Sequence, residues 1–326
     1  MKKIDLEAIS KKKILITGGI GFVGTNLVIK LLSNRIKPAI LDFLSNGNEF
    51  DQNFIPFKKD EVEFYNKDIR NREEILHAVE QVNPDYIIHL ASMTNLTRDF
   101  HHAHQSVDIN IRGTLNLLEA TNSQKIDKFV FLSSSDVYGG VAPPFQETQN
   151  VVPASPYSVS KVASELYSLM FSKVYDLPVV VLRGFNVFGK YQQPNRVIPY
   201  IITELLNGRE VKLTEGEQKR EFNYIDNLID AILLALANSE IHGEIINIGY
   251  GESVKVRDIA LKIGGKLESI DKLKFGAISY RPNEIWDMYC DNNKAKRLLG
   301  WEPRISLEKG LNSTIDWFKS QYSGKR

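Results

Sequence analysis

The feature that most narrows the fold is a short apolar run that breaks into glycines and resumes as a helix. Lys13-Ile14-Leu15-Ile16-Thr17 leads into Gly18-Gly19-Ile20-Gly21-Phe22-Val23-Gly24, and Phe22 to Ser33 carries helical spacing. Strand, tight turn and helix in that order put unpaired helix N–H groups and the positive end of the helix dipole at the turn, where they receive an anion. The glycines read both as GxGxxG (Gly19, Gly21, Gly24) and as GxxGxxG (Gly18, Gly21, Gly24). The early ones permit the turn, the middle one lets backbone approach a pyrophosphate, and the last lets helix pack on strand. A second strand ends in Asp42, 18 residues past Gly24. A carboxylate there bonds an adenosine ribose 2′-hydroxyl and repels a 2′-phosphate, so the pattern predicts NAD rather than NADP.

Similar runs recur at Pro38 to Asp42, Tyr86 to Ala91, Lys128 to Ser133 and Pro178 to Arg183, separated by helical stretches over 72–82, 107–121 and 157–175. That alternation predicts an α/β fold with a parallel sheet covered on both faces, and runs such as Phe129 to Leu132 suit strands buried on both sides. After about residue 187, proline and glycine punctuate shorter elements. We expect a Rossmann-type doubly wound sheet over 1–186, with 1–12 as a lead-in. A smaller mixed α/β substrate-binding part over 187–326 is expected to close one cleft and to return some strands to the first part.

The composition, 43% hydrophobic and 25% charged over 326 residues, excludes disordered and disulfide-dense classes. Basic and acidic residues number 41 and 40, leaving no global field to attract nucleic acid or a membrane surface. No run approaches the length of a membrane span. The single cysteine, Cys290, excludes an intrachain disulfide, and with no secretory leader in view a cytoplasmic setting is expected. His101, His102 and His104 lack a partnering carboxylate pattern, so no metal is expected.

Tyr157 and Lys161 are four apart in a predicted helix and share a face. An ammonium beside a phenol favours phenolate. Moving a phenol from about 10 to about 7 takes about 4 kcal/mol, which the lysine and a positive nicotinamide ring would supply together. A tyrosine so tuned takes and returns a hydroxyl proton while hydride moves. A YxxxK pair alone is a common helix face; its meaning comes from its surroundings.

Those surroundings resemble the extended short-chain dehydrogenase/reductase family, and within it the nucleotide-sugar epimerases and dehydratases, over nearly the whole chain. The motifs are the Thr17 to Gly24 turn, Asp68-Ile69-Arg70, His89-Leu90-Ala91, Asn110 with Gly113 to Ala120, Ser133-Ser134-Ser135-Asp136-Val137-Tyr138-Gly139, the Tyr157/Lys161 pair and Arg183 to Gly189. The resemblance implies that Ser134 bonds the substrate oxygen, Tyr157 is the acid/base and Lys161 its modulator. It assigns Gly18, Gly21, Phe22, Val23, Gly24, Asp42, Asn46, Asp68, Ile69, Leu90, Ala91, Ser92 and Asn110 to the NAD site, together with Tyr157 and Lys161. Asn186, Val197, Arg220, Tyr224, Arg281, Glu284 and Met288 go to a nucleotide-diphosphate sugar, with both arginines and Asn186 on the diphosphate, Glu284 on the ribose and Met288 beside the hexose. Glu221 stands where an aspartate is usual, and Asn283 where a glycine is.

Oxidation at the sugar C4 is common to the group. A 4,6-dehydratase also needs a carboxylate before the VYG triplet, often as an Asp-Glu pair, and this chain has Ser135-Asp136 there, one methylene short of the usual glutamate. The Phe185-Asn186 pair resembles epimerases and decarboxylases, and the Arg281 to Trp301 stretch resembles epimerases. The expected activity is NAD-dependent 4-epimerisation. The alternatives are 4,6-dehydration through Asp136, 4-keto-sugar reduction and uronate decarboxylation; a non-catalytic nucleotide-binding protein would be expected to lack the Tyr/Lys pair. The resemblance further implies a homodimer through the helices at 107–121 and 157–175, where Leu166, Leu169, Met170 and Val174 suit an interface or the core.

Overall fold

The computed structural model describes residues 2, 4–44, 55–94, 100–281 and 284–323; Asn46, expected at the cofactor, and Pro282 and Asn283 of the substrate motif lie outside them. The lead-in forms a short helix, α1 (Leu6–Ser10), capped by the Asp5 carboxylate, which accepts from the Ala8 amide. There follow β1 (Ile14–Thr17), α2 (Phe22–Ser33), β2 (Ala39–Asp42), β3 (Glu63–Asn66), α3 (Arg72–Val82), β4 (Tyr86–His89), α4 (Ala103–Ser106), α5 (Gly113–Asn122), β5 (Lys128–Ser134), α6 (Pro156–Tyr175) and β6 (Val179–Gly184). The rest comprises β7 (Val187–Phe188), α7 (Val197–Leu206), β8 (Val211–Lys212), β9 (Lys219–Arg220), β10 (Asn223–Tyr224), α8 (Ile225–Leu236), β11 (Glu244–Ile248), β12 (Val254–Lys255), α9 (Val256–Lys266), β13 (Leu273–Lys274), α10 (Asn293–Leu299) and α11 (Leu307–Ser323).

Seven strands form one parallel sheet in the order β3-β2-β1-β4-β5-β6-β11. Alternate residues serve opposite layers. Ile14, Ile16, Ile40, Ile88 and Val130 meet α2 and α8 through Leu27, Leu31, Leu228 and Ile232, while Leu15, Leu41, Ile87, Phe129 and Val181 meet α3 and α5 through Ile75, Val79, Leu117 and Leu118. The order reverses between β1 and β4, so the crevice for a ligand opens at the carboxyl ends of those strands.

Two features depart from the sequence pattern, and a third brings a strand of the C-terminal part into the main sheet. β3 is a half-exposed edge strand, Glu63-Phe64-Tyr65-Asn66, too polar to stand out as a buried run. The segment 225–248 rejoins the main sheet, with α8 packed on β5 and β6 and β11 paired with β6. The helix expected over 107–121 opens as a π-helical turn, Val107–Arg112, before α5. There the Asn110 carbonyl accepts hydroxyls from Thr114 and Ser164, at 2.5 and 2.9 Å, which competes with regular helical pairing. No helix among the described residues is long and apolar enough to cross a membrane.

Candidate active site

The glycine turn is built for close approach. Gly18 has φ +74°, and a Cβ there would stand 2.7 Å from the Ala91 amide nitrogen; a Cβ on Gly24 would stand 2.2 Å from the Gly18 carbonyl oxygen. α2 starts from Gly21 with no capping side chain and no acidic residue in its first turn, so its amides are open to an anion. A crevice of about 440 Å³ runs from this turn along Asp42, Asp68, Ile69, Ala91 and Ser92. The Asp42 carboxylate accepts from the Ile20 and Phe43 amides, and burial raises its pKa. Arg70 clamps Asp68 and holds that carboxyl below its ordinary range. Phosphate-sized space beside bare backbone, with a carboxylate one strand away, fits a dinucleotide.

Asn110 does not line this crevice. Its side chain is buried, donating to Met93 O and Ser160 Oγ and accepting from Ser92 Oγ and the Met93 amide, so it braces the wall that Ile109, Ser92 and Met93 present. Behind the same wall His89 lies between Thr17 and Thr114. The Thr114 hydroxyl donates to Asn110 O, so it accepts from His89 Nε2–H, which leaves Nδ1 to accept from Thr17. Burial, with the Lys161 charge nearby, drives the His89 pKa down to about 3, consistent with a neutral ring.

From the glycine turn a larger cleft of about 690 Å³ continues past Ser134, Asp136, Tyr157 and Lys161 to Asn186, Val197, Arg220, Arg281 and Glu284. Ser134 ends β5, and its Oγ accepts from the Asp136 amide at 3.2 Å. Tyr157 comes from the first turn of α6, which Ser155 and Ser158 cap and Pro156 opens. Serines 160, 164 and 168 return their hydroxyls to the helix backbone and let α6 lie close to its neighbours.

The expected electrostatics of the Tyr157/Lys161 pair need correction. Lys161 donates to Leu132 O at 2.7 Å and lies 4.6 Å from the Phe131 ring centroid, and burial lowers its pKa to about 7. Burial also raises the Tyr157 phenol above its ordinary value; Asp136 pushes the same way, and Ser134 and Arg196 oppose. Desolvation thus dominates, and Lys161 is not among the groups that offset it. Asp136 faces Arg220, Arg196 and Arg281, which favour its ionised form, yet burial still raises its pKa.

At the outer end Arg220 donates to Glu284, and also to Ile285 O at 2.5 Å. Glu284 therefore holds Arg220 as well as facing the cleft. Two expected substrate residues are placed elsewhere. Tyr224 is buried against Phe188, with its hydroxyl on Ser313, on the side of α11. Its strand, β10, has two residues and leaves no alternation from which to read a facing. Met288 is buried beneath the cleft, its Sδ receiving Asn186 Nδ2 at 3.4 Å and Ser135 Oγ at 3.7 Å.

The sequence reading missed Arg196, which lines the cleft and donates to Thr94 O and Oγ1 at 2.9 and 3.0 Å. A signal was present. Arg196 is the residue before α7, a helix start where the dipole disfavours a cation, so another contact must hold it there.

A family profile described as GDP-mannose 4,6 dehydratase matches residues 15–314. The chain is 34% identical over 318 residues to a putative UDP-glucose 4-epimerase of Methanocaldococcus jannaschii, covering 94% of this chain and 98% of that one. It superposes with TM-score 0.87 on the UDP-glucose 4-epimerase of Thermotoga maritima solved with UDP-glucose, at 30% identity over 95% of this chain and 99% of that one. A dTDP-glucose 4,6-dehydratase of Streptomyces venezuelae, solved with NAD, gives TM-score 0.87 at 28% identity, covering 96% and 98%.

Proposed function

The chain belongs to the extended short-chain dehydrogenase/reductase family, among its NAD-dependent epimerases and dehydratases, and from that premise we propose that it is a 4-epimerase of a nucleotide-diphosphate sugar. The observation that carries this reading is the set of proton-transfer groups around Tyr157. Inverting C4 needs one acid/base at the C4 oxygen; dehydration needs further groups to take the C5 proton and to protonate the C6 hydroxyl. Among the described residues of the main cleft the carboxylates are Asp136 and Glu284. Glu284 is engaged by Arg220, and Ser135, where a second acid would stand, points its hydroxyl at Met288.

NAD would be held along the glycine turn and by Asp42, and when bound would supply a hydride acceptor for C4, a positive charge that favours phenolate, and the hydride that returns. Tyr157 takes the C4 hydroxyl proton as the C4–H bond gives up its electron pair, and Ser134 bonds the oxygen throughout. The resulting 4-keto sugar turns within the cleft, Tyr157 gives its proton back as C4 is reduced on the opposite face, and the product is an isomer of unchanged mass. Arg220 and Arg281 hold the diphosphate as paired cations, which fixes the nucleotide while the sugar turns.

Asp136 supports a second reading. Burial favours its neutral form beside Ser134, which suits it to protonate a leaving C6 hydroxyl in a 4,6-dehydration. The test is mass-resolved chromatography of UDP-, GDP-, CDP- and dTDP-hexoses incubated with the purified protein. A new isomer of equal mass that persists in Asp136→Asn supports epimerisation. Loss of one water, abolished in that variant, overturns it in favour of dehydration.

A further inference from the structure

Glu221 follows Arg220 in the chain and is wholly buried, yet the proposed reaction does not use it. Its carboxylate accepts three backbone N–H groups from two other segments: Oε1 from Tyr250 at 3.1 Å, and Oε2 from Gly251 at 3.3 Å and Cys290 at 2.8 Å. Cys290 Sγ donates to Oε1 at 3.8 Å. The loop is shaped around this group, since a Cβ on Gly249 would stand 1.8 Å from Oε1. No cation is paired with it among the described residues. The titratable neighbour is the Cys290 thiol, against which the charges of Glu147 and Asp291 also bear, while Arg220 turns away to Glu284 and Ile285 O. The Glu221 amide donates to Met288 O at 2.9 Å, so backbone and side chain together join the end of β9 to the segment that carries Glu284 and Met288.

We propose that Glu221 is a positioning residue for substrate binding: its ionised carboxylate clasps the 249–251 loop and the 284–290 segment to the end of β9, and so sets where Arg220 and Glu284 stand in the cleft. What the arm binds rests on the proposed function; the clasp does not. Burial without a counter-charge brings the Glu221 pKa up to about 7. A proton on either oxygen faces an N–H that the oxygen had accepted, so at least one of the three bonds weakens and the arm loosens on the acid side of neutrality.

The experiment compares wild type, Glu221→Gln and Glu221→Asp, all loaded with NAD, by hydrogen exchange and by calorimetric binding of UDP-glucose, which does not titrate near neutrality. Gln keeps the shape and removes the charge; Asp keeps the charge and shortens the reach. In Glu221→Gln, exchange corrected for intrinsic rate is expected to speed up about tenfold in peptides spanning 249–251 and 284–291 and to stay unchanged at 14–42. UDP-glucose binding should weaken about tenfold with NAD content unaltered. Glu221→Asp should fall between. In wild type the same peptides should lose protection as pH falls through about 7, a dependence the Gln variant lacks. That wild-type profile decides the matter if the variants fail to fold. Unaltered exchange that is also independent of pH overturns the clasp, and faster exchange with unaltered affinity overturns the positioning role. Absence of any UDP-glucose binding by wild type counts against the substrate reading alone, and exchange then decides.

Discussion

Lys161 Nζ donates to the Leu132 carbonyl at 2.7 Å, tying the helix that carries Tyr157 to the strand two residues before Ser134. Lys161 is 3% exposed and its pKa falls to about 7, so the residue places the site at a cost in stability. The unfolded chain holds this proton up to about 10.5 and the folded chain only up to about 7. Between those values the unfolded state binds more protons, so this group's contribution to stability rises with pH across the window and its full penalty is felt below it. Lys161→Met removes the penalty. Turnover is expected to fall about 10²- to 10⁴-fold, while Tm rises by about 3 °C at pH 6 and by less at pH 9. Calorimetry at the two pH values checks this; a variant less stable than wild type at pH 6 refutes it.

A second buried cation is neutralised instead. Arg183 Nε and Nη2 donate to the two oxygens of Glu165 at 3.0 and 2.7 Å, joining β6 to α6 under the Tyr138 ring. Removing one partner leaves the other charged in the interior. Glu165→Gln is therefore expected to cost about 3–5 kcal/mol, and the double replacement Arg183→Met with Glu165→Met distinctly less. Urea unfolding of the three proteins measures the difference; equal losses in the single and double variants would show that packing, not charge, is at stake.

Neither contact could be read from the sequence, whereas the elements that carry them could. The strand–glycine–helix unit and the Tyr157 helix could be read because local pattern dictates them: an apolar run buried on both faces, glycines where no Cβ fits, and a helix with Ser155 at its cap. What escaped depends on partners distant in the chain. Asn110 turns inward because Ser160 and Ser164 arrive 50 and 54 residues later, and Arg196 reaches the cleft by gripping Thr94, 102 residues earlier. Tyr224 faces α11 because a two-residue strand takes its orientation from its neighbour β7. The apolar residues of α6, equivocal in the sequence, divide in three dimensions: Leu169 packs inward, and Leu166, Met170 and Val174 remain exposed.

His89 predicts acid sensitivity. Its ring must stay neutral to accept from Thr17 and donate to Thr114, and its pKa lies at about 3 against an ordinary 6.5. Between those values the unfolded chain binds one proton more, so stability contributed by this site is intact above pH 6.5 and falls by about 1.4 kcal/mol for each pH unit below it. His89→Gln removes that slope. The difference in unfolding free energy between wild type and variant should therefore shrink steadily from pH 6.5 to 4.5, while carboxylates common to both proteins cancel. Parallel curves across that range would show that His89 is not the group responsible.

The exposed face of α6 predicts an assembly. Leu166 and Val174 are 63% and 60% exposed, Met170 and Val159 lie on the same side, and Val107 of the π-helical turn that packs on α6 is exposed as well. A stripe of this kind, on a helix whose Lys161 and Glu165 are buried, calls for a cover, and the family resemblance implies a second copy of the chain. In a two-fold dimer each residue near the axis meets its own counterpart, so one substitution acts twice. Leu166→Glu would bring carboxylates into an apolar seam, where neither finds a partner. Wild type is expected to sediment at twice the 37.1 kDa chain mass and Leu166→Glu at the single-chain mass, with NAD content unchanged because the helix's Tyr157 face is untouched. A wild-type protein that sediments as a single chain at micromolar concentration rules the assembly out.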